Sequence, residues 1–442
     1  MSLLDHPEAQ ALLADATVST GDIRGIRDHL TCFLERYLPR FYRQEQRGHA
    51  AAFVRGLLSG LERKSAEPIA AQAGIPRKNL QYFVGCGIWE DEAVMTELRT
   101  HVREELAEDD GVIVIDPSGF PKKGDDSCGV ARQWCGRLGK VDNCQLGVFL
   151  AYVSSKGHAP LDRRLYLPKD WASDPERRKT GHVPEDVVYQ KTWEIAAFLL
   201  QRSGAEVPHG WVVGDDEFGR ASEFRTVLRA RHERYVLDVP CNTKVRDLDG
   251  RRPPRKKGRR GPKRQVPFRR VDTWAAQLPL ERWTRMTIRD GSKEPLDVEA
   301  VVAPVRAMLG RRIGPEERLV VIRTLGPGAK TTYALSNAEA KVPLSNLVCV
   351  RSQRPRIERV LREGKGEVGL AHYEVRSWVG WHHHITLSLL ALWFLVLERR
   401  RMGGKNPGLD GVAGAGDLHR TAPETTGNVG RDRRGGEPRA AA

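Results

Sequence analysis

At 442 residues the chain is too long for one compact core and fits two or three domains. A hydrophobic share of 40% is that of an ordinary globular protein, and the opening residues lack the basic, apolar, small-residue succession of a secretion signal, so an intracellular protein is expected. The formal charge of +15 is concentrated: Arg251 to Arg270 holds eleven Lys or Arg and no acid, leaving only +4 elsewhere.

Such a stripe suits a polyanion, because each neutralised phosphate releases condensed counterions; a solvated, disordered loop is the competing reading. Within it, Arg255, Lys256, Lys257, Arg259 and Arg260 are candidate DNA contacts. Seven cysteines, odd in number and scattered, make no disulfide framework. Cys128, Cys135 and Cys144 come closest to a cluster, lack the C-x2-C spacing of a zinc site, and read as small buried residues.

In chain order, residues 1–105 read as an all-helical, DNA-binding domain. Ile23, Ile26, Leu30, Phe33 and Tyr37 recur at helical steps until Pro39 interrupts, and Phe53, Leu57 and Leu61 repeat the pattern. Residues 67–83 (EPIAAQAGIPRKNLQYF) have the form of a helix-turn-helix, with small Ala70 at the crossing, Gly74 at the turn, and Ile69, Ile75 and Leu80 filling the angle. Arg77, Lys78, Asn79 and Gln81 then lie on the second helix, able to reach bases and phosphates. A plain helical hairpin with those residues facing water fits the same pattern.

From Gly111 the pattern becomes α/β, and residues 106–240 read as the first part of a core. VIVID (112–116) and GWVVGDD (210–216) are buried strands ending in acid; strand-like runs Gln145–Val153 and Arg164–Leu167 and a helix from about Val188 to Arg202 lie between them. A helix, Arg220–Arg229, and a strand, Arg234–Val239, follow. Residues 241–350 lose the helical period and read as a β-rich insertion carrying the basic stripe. Helix returns over 351–401, and 402–442 reads as a disordered tail. The longest mostly apolar run, Ile385 to Leu397, is 13 residues, short of the roughly 20 a membrane span needs, and predicts a buried helix.

Asp116 and Asp215 each end a buried strand, where side chains are delivered into the crevice that binds ligands in α/β sheets. Paired carboxylates favour hard ions such as Mg2+, two of which can activate an attacking oxygen and stabilise a leaving one. Capping of the next helix or turn is the plainer role for either acid taken singly. Arg354, Glu358 and Lys365 stand four and then seven residues apart and share one helix face, as would an ordinary exposed helix with paired charges.

The order Asp116, Asp215, Glu358, with a β-rich insertion before the last acid, resembles the DDE transposases of bacterial insertion sequences. Glu358 lies in an R-x3-E-x6-K spelled by Arg354, Glu358 and Lys365, similar to the Y-x2-R-x3-E-x6-K motif of the branch carrying that insertion. The stretches 127–148 and 366–387 look like further blocks of this group, and the resemblance covers about residues 65 to 400. It departs at Arg351, where the family has a DNA-contacting Tyr.

The resemblance implies a ribonuclease-H-like α/β core interrupted by the β-rich insertion, behind an N-terminal all-helical domain. It implies Asp116, Asp215 and Glu358 as catalytic metal ligands for two Mg2+ ions, with Mn2+ as substitute, and Arg354 and Lys365 as phosphate contacts. Asp215 is preferred to Asp216 and Glu217 because Phe218 and Gly219 complete the family's D-x2-(Tyr/Phe)-Gly spacing. The implied activity is hydrolysis at the inverted ends of an element, then attack of the freed 3′-OH on target DNA. The implied partners are double-stranded DNA and a second copy of the chain in a synaptic homodimer, in the bacterial cytoplasm at the nucleoid and with no membrane involved.

Two other functions remain open at this level: a non-catalytic DNA-binding regulator derived from a transposase, and a nuclease that cuts without rejoining. Consecutive His382, His383 and His384 point in different directions on a helix and cannot all bind one metal. Lys122 and Lys123 are either phosphate contacts or solvated lysines. Trp274 and Trp283 either hold a flipped base or pack a core.

Overall fold

The computed structural model describes residues 20–253, 265–288, 296–326 and 328–402. Arg255, Lys256, Lys257, Arg259 and Arg260, and the tail from 403, lie outside the described residues. Five helices open the structure: α1 (Thr20–Tyr37), α2 (Gln44–Leu57), α3 (Ala66–Ala73), α4 (Arg77–Gly85) and α5 (Asp91–Leu106). Between α3 and α4, Gly74 takes the left-handed conformation at φ 65°, which a side chain would strain, while its N–H closes onto the carbonyls of Ala70 and Ala71. Ile69 and Leu80 are fully buried on either side of that turn.

After α5 come β1 (Val112–Pro121), β2 (Ala131–Cys135), β3 (Lys140–Ser154), β4 (Gly157–Leu165), α6 (Lys169–Ser173), α7 (Pro175–Thr180), α8 (Thr192–Glu206), β5 (Trp211–Gly214), α9 (Asp216–Arg220), α10 (Ser222–Ala230) and β6 (Tyr235–Asp238). β1 is antiparallel to β3 and parallel to β5, which is parallel to β6; β4 continues the sheet on the far side of β3. β1 runs five residues past the predicted strand, through Pro117 to Pro121. Its pairing with β5 stops at Ile115, so the proline-bearing half has a sheet neighbour on one side only, where a missing N–H is tolerated.

The chain then forms β7 (Lys244–Asp247), β8 (Arg269–Arg270), α11 (Val271–Ala275), β9 (Thr284–Ile288), β10 (Leu296–Leu309), β11 (Arg312–Thr324) and β12 (Thr331–Ser336). The segment read as an insertion does not build a sheet of its own. β12 pairs antiparallel with β6, and the order β6-β12-β11-β10-β7-β8 makes it an extension of the first sheet. One face of the extension has a small separate core around Trp274, Val305 and Leu319. A buried bridge joins the two halves: Arg225 on α10 donates to Glu317 on β11 at 3.0 Å, and Tyr235 on β6 donates to the same carboxylate at 2.5 Å.

Three helices close the fold: α12 (Leu344–Arg351), α13 (Pro355–Glu367) and α14 (Trp378–Met402). By length and composition α14 could cross a membrane, yet 89% of its most apolar window is buried inside the protein. It touches α1, α2, α4, α5, α13 and β4. The N-terminal helices therefore share one continuous core with the sheet, as in the contact of Phe33 with Phe394 at 5.2 Å between ring centroids.

Candidate active site

Strand register brings the first two acids together. Ile115 of β1 pairs with Gly214 of β5, so the next residues, Asp116 and Asp215, leave adjacent parallel strands at the same level. Gly214 in turn pairs with Leu237 of β6, which adds Asp238 to the row. Asp215 also caps α9, accepting from the N–H groups of Glu217 (3.0 Å) and Phe218 (3.4 Å), so the capping role and the strand-end placement hold together. The Phe-Gly of its motif has a packing reason. Phe218 is fully buried, and a Cβ on Gly219 would land on the carbonyl oxygen of Asp238.

The third acid arrives from α13. Arg354 stands at the N-cap of that helix, and Glu358 lies in its first turn. The Arg354 guanidinium approaches Glu358 at 2.9 Å, Asp116 at 3.9 Å and Asp238 at 3.9 Å. Its Nε is buried without a hydrogen bond, so charge rather than hydrogen bonding holds that end in place. Lys365, two turns further, crosses to β1 and donates to Ser118 Oγ (2.8 Å) and the Gly119 carbonyl (3.3 Å). Arg354 and Lys365 of the R-x3-E-x6-K pattern thus reach the strand that carries Asp116, and the half-exposed Glu358 is joined to it through Arg354.

Electrostatics at this edge are unbalanced. Burial pushes the Asp116 carboxyl up to about 8, with the neighbouring Asp215 and Glu358 adding to the shift and Arg354 opposing it. Asp215 is raised to about 6, again by burial first, with Glu217 and Asp216 adding and Arg354 opposing. Burial works against the Arg354 charge and is outweighed by Glu358, Asp116, Asp238 and Asp215, which raise its pKa. Burial lowers Lys365 to about 8, helped by Arg137.

The donor set is all oxygen, the chemistry of a hard divalent cation, and the strained ionisation of Asp116 is the deficit such a cation would relieve. Among the described residues no three His, Cys, Asp or Glu stand close enough to enclose a metal ion. Arg354 lies among the carboxylates as their counter-charge, and a divalent cation fits the site by charge and donor type alone.

Sequence reasoning missed Asp238. The signal was present, since YVLD ends in an acid as VIVID does. Arg351, the departure from the family's Tyr, grips Asp238 with two bonds, from Nε at 3.0 Å and from its terminal nitrogen at 2.8 Å.

Other candidates separate from this site. Arg77 pairs with Glu67 at 2.9 Å, and Lys78, Asn79 and Gln81 are exposed on α4. Lys122 is an internal anchor, donating to the Tyr373 carbonyl at 3.2 Å and lying 3.4 Å over its ring, whereas Lys123 is exposed. All three histidines of α14 are buried and bonded to separate backbone carbonyls: Trp378 for His382, Val84 and Trp89 for His383, Gly369 for His384. Trp274 packs the small core and donates to Asp247, and Trp283 lies under Arg323. Cys128, Cys135 and Cys144 are buried free thiols.

A row of strand-end carboxylates facing an arginine and a lysine on one helix is a layout suited to phosphoryl transfer. The sequence profile of the DDE superfamily endonucleases matches residues 36–295, more than half of the chain, and the protein belongs to that family. The match covers Asp116, Asp215 and Asp238 and ends before Arg354, Glu358 and Lys365, which rest on their geometry. A curated relative, a probable transposase for insertion sequence element IS701 from Microchaete diplosiphon, is 28% identical over 196 residues, 44% of this chain and 49% of the relative. The chain therefore spans about half the length of that relative.

Proposed function

We propose that this protein is a DDE transposase, which binds the inverted ends of an insertion sequence and carries out metal-dependent DNA cleavage and strand transfer. The observation that carries the reading is the register-matched pair Asp116 and Asp215, faced by Glu358 from α13 with Arg354 between them. Family membership and the transposase relative support it. The order β4-β3-β1-β5-β6, with β3 antiparallel to the parallel β1, β5 and β6, supports a ribonuclease-H-like core over 106–240 completed by 351–401. In that arrangement 1–105 is a DNA-binding helical domain, 241–350 the β-rich basic insertion, and 402–442 a tail.

Asp116, Asp215 and Glu358 would hold two Mg2+ ions, or Mn2+ in their place. When bound, these supply Lewis-acid stabilisation of attacking and leaving oxygens. The chain's own residues do the rest. Arg354, released from the carboxylates, and Lys365 at the edge of β1 would hold phosphate oxygens, and the half-buried Asp116 would face the reacting phosphate and its attacking water. Exposed Arg77, Lys78, Asn79 and Gln81 on α4, with the basic segment Arg255, Lys256, Lys257, Arg259 and Arg260, would grip the duplex ends of the element and target DNA. A homodimer would bring two ends together, and a nucleoid-associated protein of the bacterial cytoplasm follows.

The test is cleavage of a duplex carrying the element's ends with and without Mg2+, for the intact chain and for Asp116→Asn, Asp215→Asn and Glu358→Gln. Cleavage and strand-transfer products are expected from the intact chain alone, with DNA binding retained in all four. Bound but uncut ends in the presence of Mg2+ would leave a DNA-binding regulator as the better reading.

A further inference from the structure

The hairpin of β2 and β3, resting beside the candidate active site, carries a surface that the reading above leaves unused. Strand alternation puts Gln133 and Cys135 on its inner side and Arg132 and Trp134 on its outer side. Cys135 is fully buried, and its sulfur comes so close to Gly119 that a Cβ there would stand 2.9 Å away. The inner face is thereby clamped onto β1 just past Asp116. The outer face has no such cover. Trp134 is 61% exposed opposite Val141, its register partner, and Leu138 at the turn is exposed as well.

The segment 122–140 holds five Lys or Arg against two acids; Lys122 is turned onto Tyr373, whereas Arg132, Arg137 and Lys140 lie on the hairpin that carries the indole. Of those acids Asp126 is paired with Arg376, and the nearby Asp142 is paired with Lys140 at 3.0 Å. Arg132 and Arg137 are exposed and make no ion pair or side-chain hydrogen bond among the described residues. Arg137 is near enough to Lys365 to help depress it, and Lys365 in turn feels Asp116. Lys365, bonded to Ser118 and Gly119 of β1, therefore stands between the carboxylate row and Arg137 at the hairpin tip.

We propose that the β2–β3 hairpin is a DNA-contacting surface, in which Trp134 stacks on an unpaired base beside the cut and Arg132 and Arg137 hold the adjoining phosphates. The proposal rests on the transposase reading, since it presumes that DNA reaches Asp116. A flat indole with an aliphatic rim from Val141 and Leu138 matches the face of any base, which makes stacking tolerant of sequence. Bases inside a duplex are already stacked on each other, so the indole selects strands that are open. The flanking positive charge favours a polyanion over an apolar protein partner.

The experiment uses the full chain in EDTA with two fluorescein-labelled probes: a blunt 30-base-pair duplex, and the same duplex with a short unpaired 3′ flank. The intact chain should bind the forked probe more tightly. Trp134→Ala should weaken forked binding about tenfold and leave blunt binding within about twofold, and Trp134→Phe should retain most of the preference. Arg132→Gln with Arg137→Gln should weaken both probes and flatten the logarithmic salt slope by about two. Forked binding unchanged in Trp134→Ala overturns the proposal. So does a change in solution mass by light scattering on Trp134→Ala with DNA binding intact, which makes the surface a protein interface. Failure of the intact chain to bind either probe overturns the transposase reading together with this one, whereas cleavage surviving Asp116→Asn overturns only the assignment of the acids.

Discussion

Replacing Asp116 by Asn should stabilise the metal-free protein while ending its response to Mg2+. The folded protein holds this carboxyl at about 8 against an ordinary value of 3.8, so between those pH values the unfolded chain has lost the proton and the native state keeps it. Stability contributed by the protonated group is therefore lost as pH rises, by about 1.4 kcal/mol per unit. The accumulated penalty is about 1–2 kcal/mol at pH 5 and about 4 kcal/mol at pH 7. Asn mimics the neutral acid and cannot ionise, so it removes that penalty. Urea unfolding in EDTA should place Asp116→Asn above the intact protein by roughly 2–4 kcal/mol at pH 7 and by clearly less at pH 5. Comparing the two proteins at each pH cancels the titrating groups that do not interact with Asp116. Adding Mg2+ should raise only the intact protein, through preferential binding to the native state. A variant less stable than the intact protein at both pH values, or one with an undiminished Mg2+ shift, refutes the electrostatic argument.

Further outcomes follow from the same geometry. Glu317→Ala strips the buried partner from Arg225 and Tyr235 and should cost about 3–5 kcal/mol in chemical denaturation, with Glu317→Gln costing less. Gly219→Ala drives a Cβ onto the Asp238 carbonyl and should cost about 1–3 kcal/mol while weakening the Mg2+ shift, because Asp215 is anchored in the same turn. Burial holds His382 and His384 neutral, with folded values near 3 against 6.5. Stability should fall as pH drops below about 6.5, by roughly 2 kcal/mol for each ring at pH 5, and His384→Gln should flatten that slope in urea unfolding at stepped pH.

The outline of the site was legible in the sequence because it depends on local signals. VIVID and WVVGDD announce buried strands ending in acid, and spacings of four and seven within one helix put Arg354, Glu358 and Lys365 on one face whatever the helix packs against. Asp238 escaped notice because its strand, YVLD, is short and has no motif residue after the acid; only its register with Gly214 reveals it. The continuity of the sheet was hidden for a similar reason. Loss of helical period over 241–350 marks strands, but which edge they join is decided by the pairing of β12 with β6. Of the hairpin that carries Trp134, Gln145–Val153 was legible as a strand, whereas β2 and the turn fell only within a resemblance, since their mixed residues lack a long alternating run. The histidine triplet shows the converse: direction along a helix excluded a shared metal, and the buried carbonyls then gave each ring its own partner.

Arg351 and Asp238 make sense only together. A strand-end acid beside Asp215 adds a fourth carboxyl group to an edge that already has three, and an unpaired buried carboxylate is costly. Arg351 answers that charge with two hydrogen bonds, at the position where the family places a Tyr. Asp238 is then satisfied without Arg354, which approaches it only at 3.9 Å. Arg354 is left as the shared counter-charge of the edge, set among Asp116, Glu358 and Asp238 and tied to none by a bidentate bond. Under the proposed function, a cation entering between Asp116 and Asp215 would compete chiefly with Arg354, while the Arg351–Asp238 pair holds the end of β6. Arg351, whose guanidinium is committed to Asp238, is therefore poorly placed to take over the work of the missing Tyr, and under the proposed function phosphate contact at the cut would fall to Arg354 and Lys365.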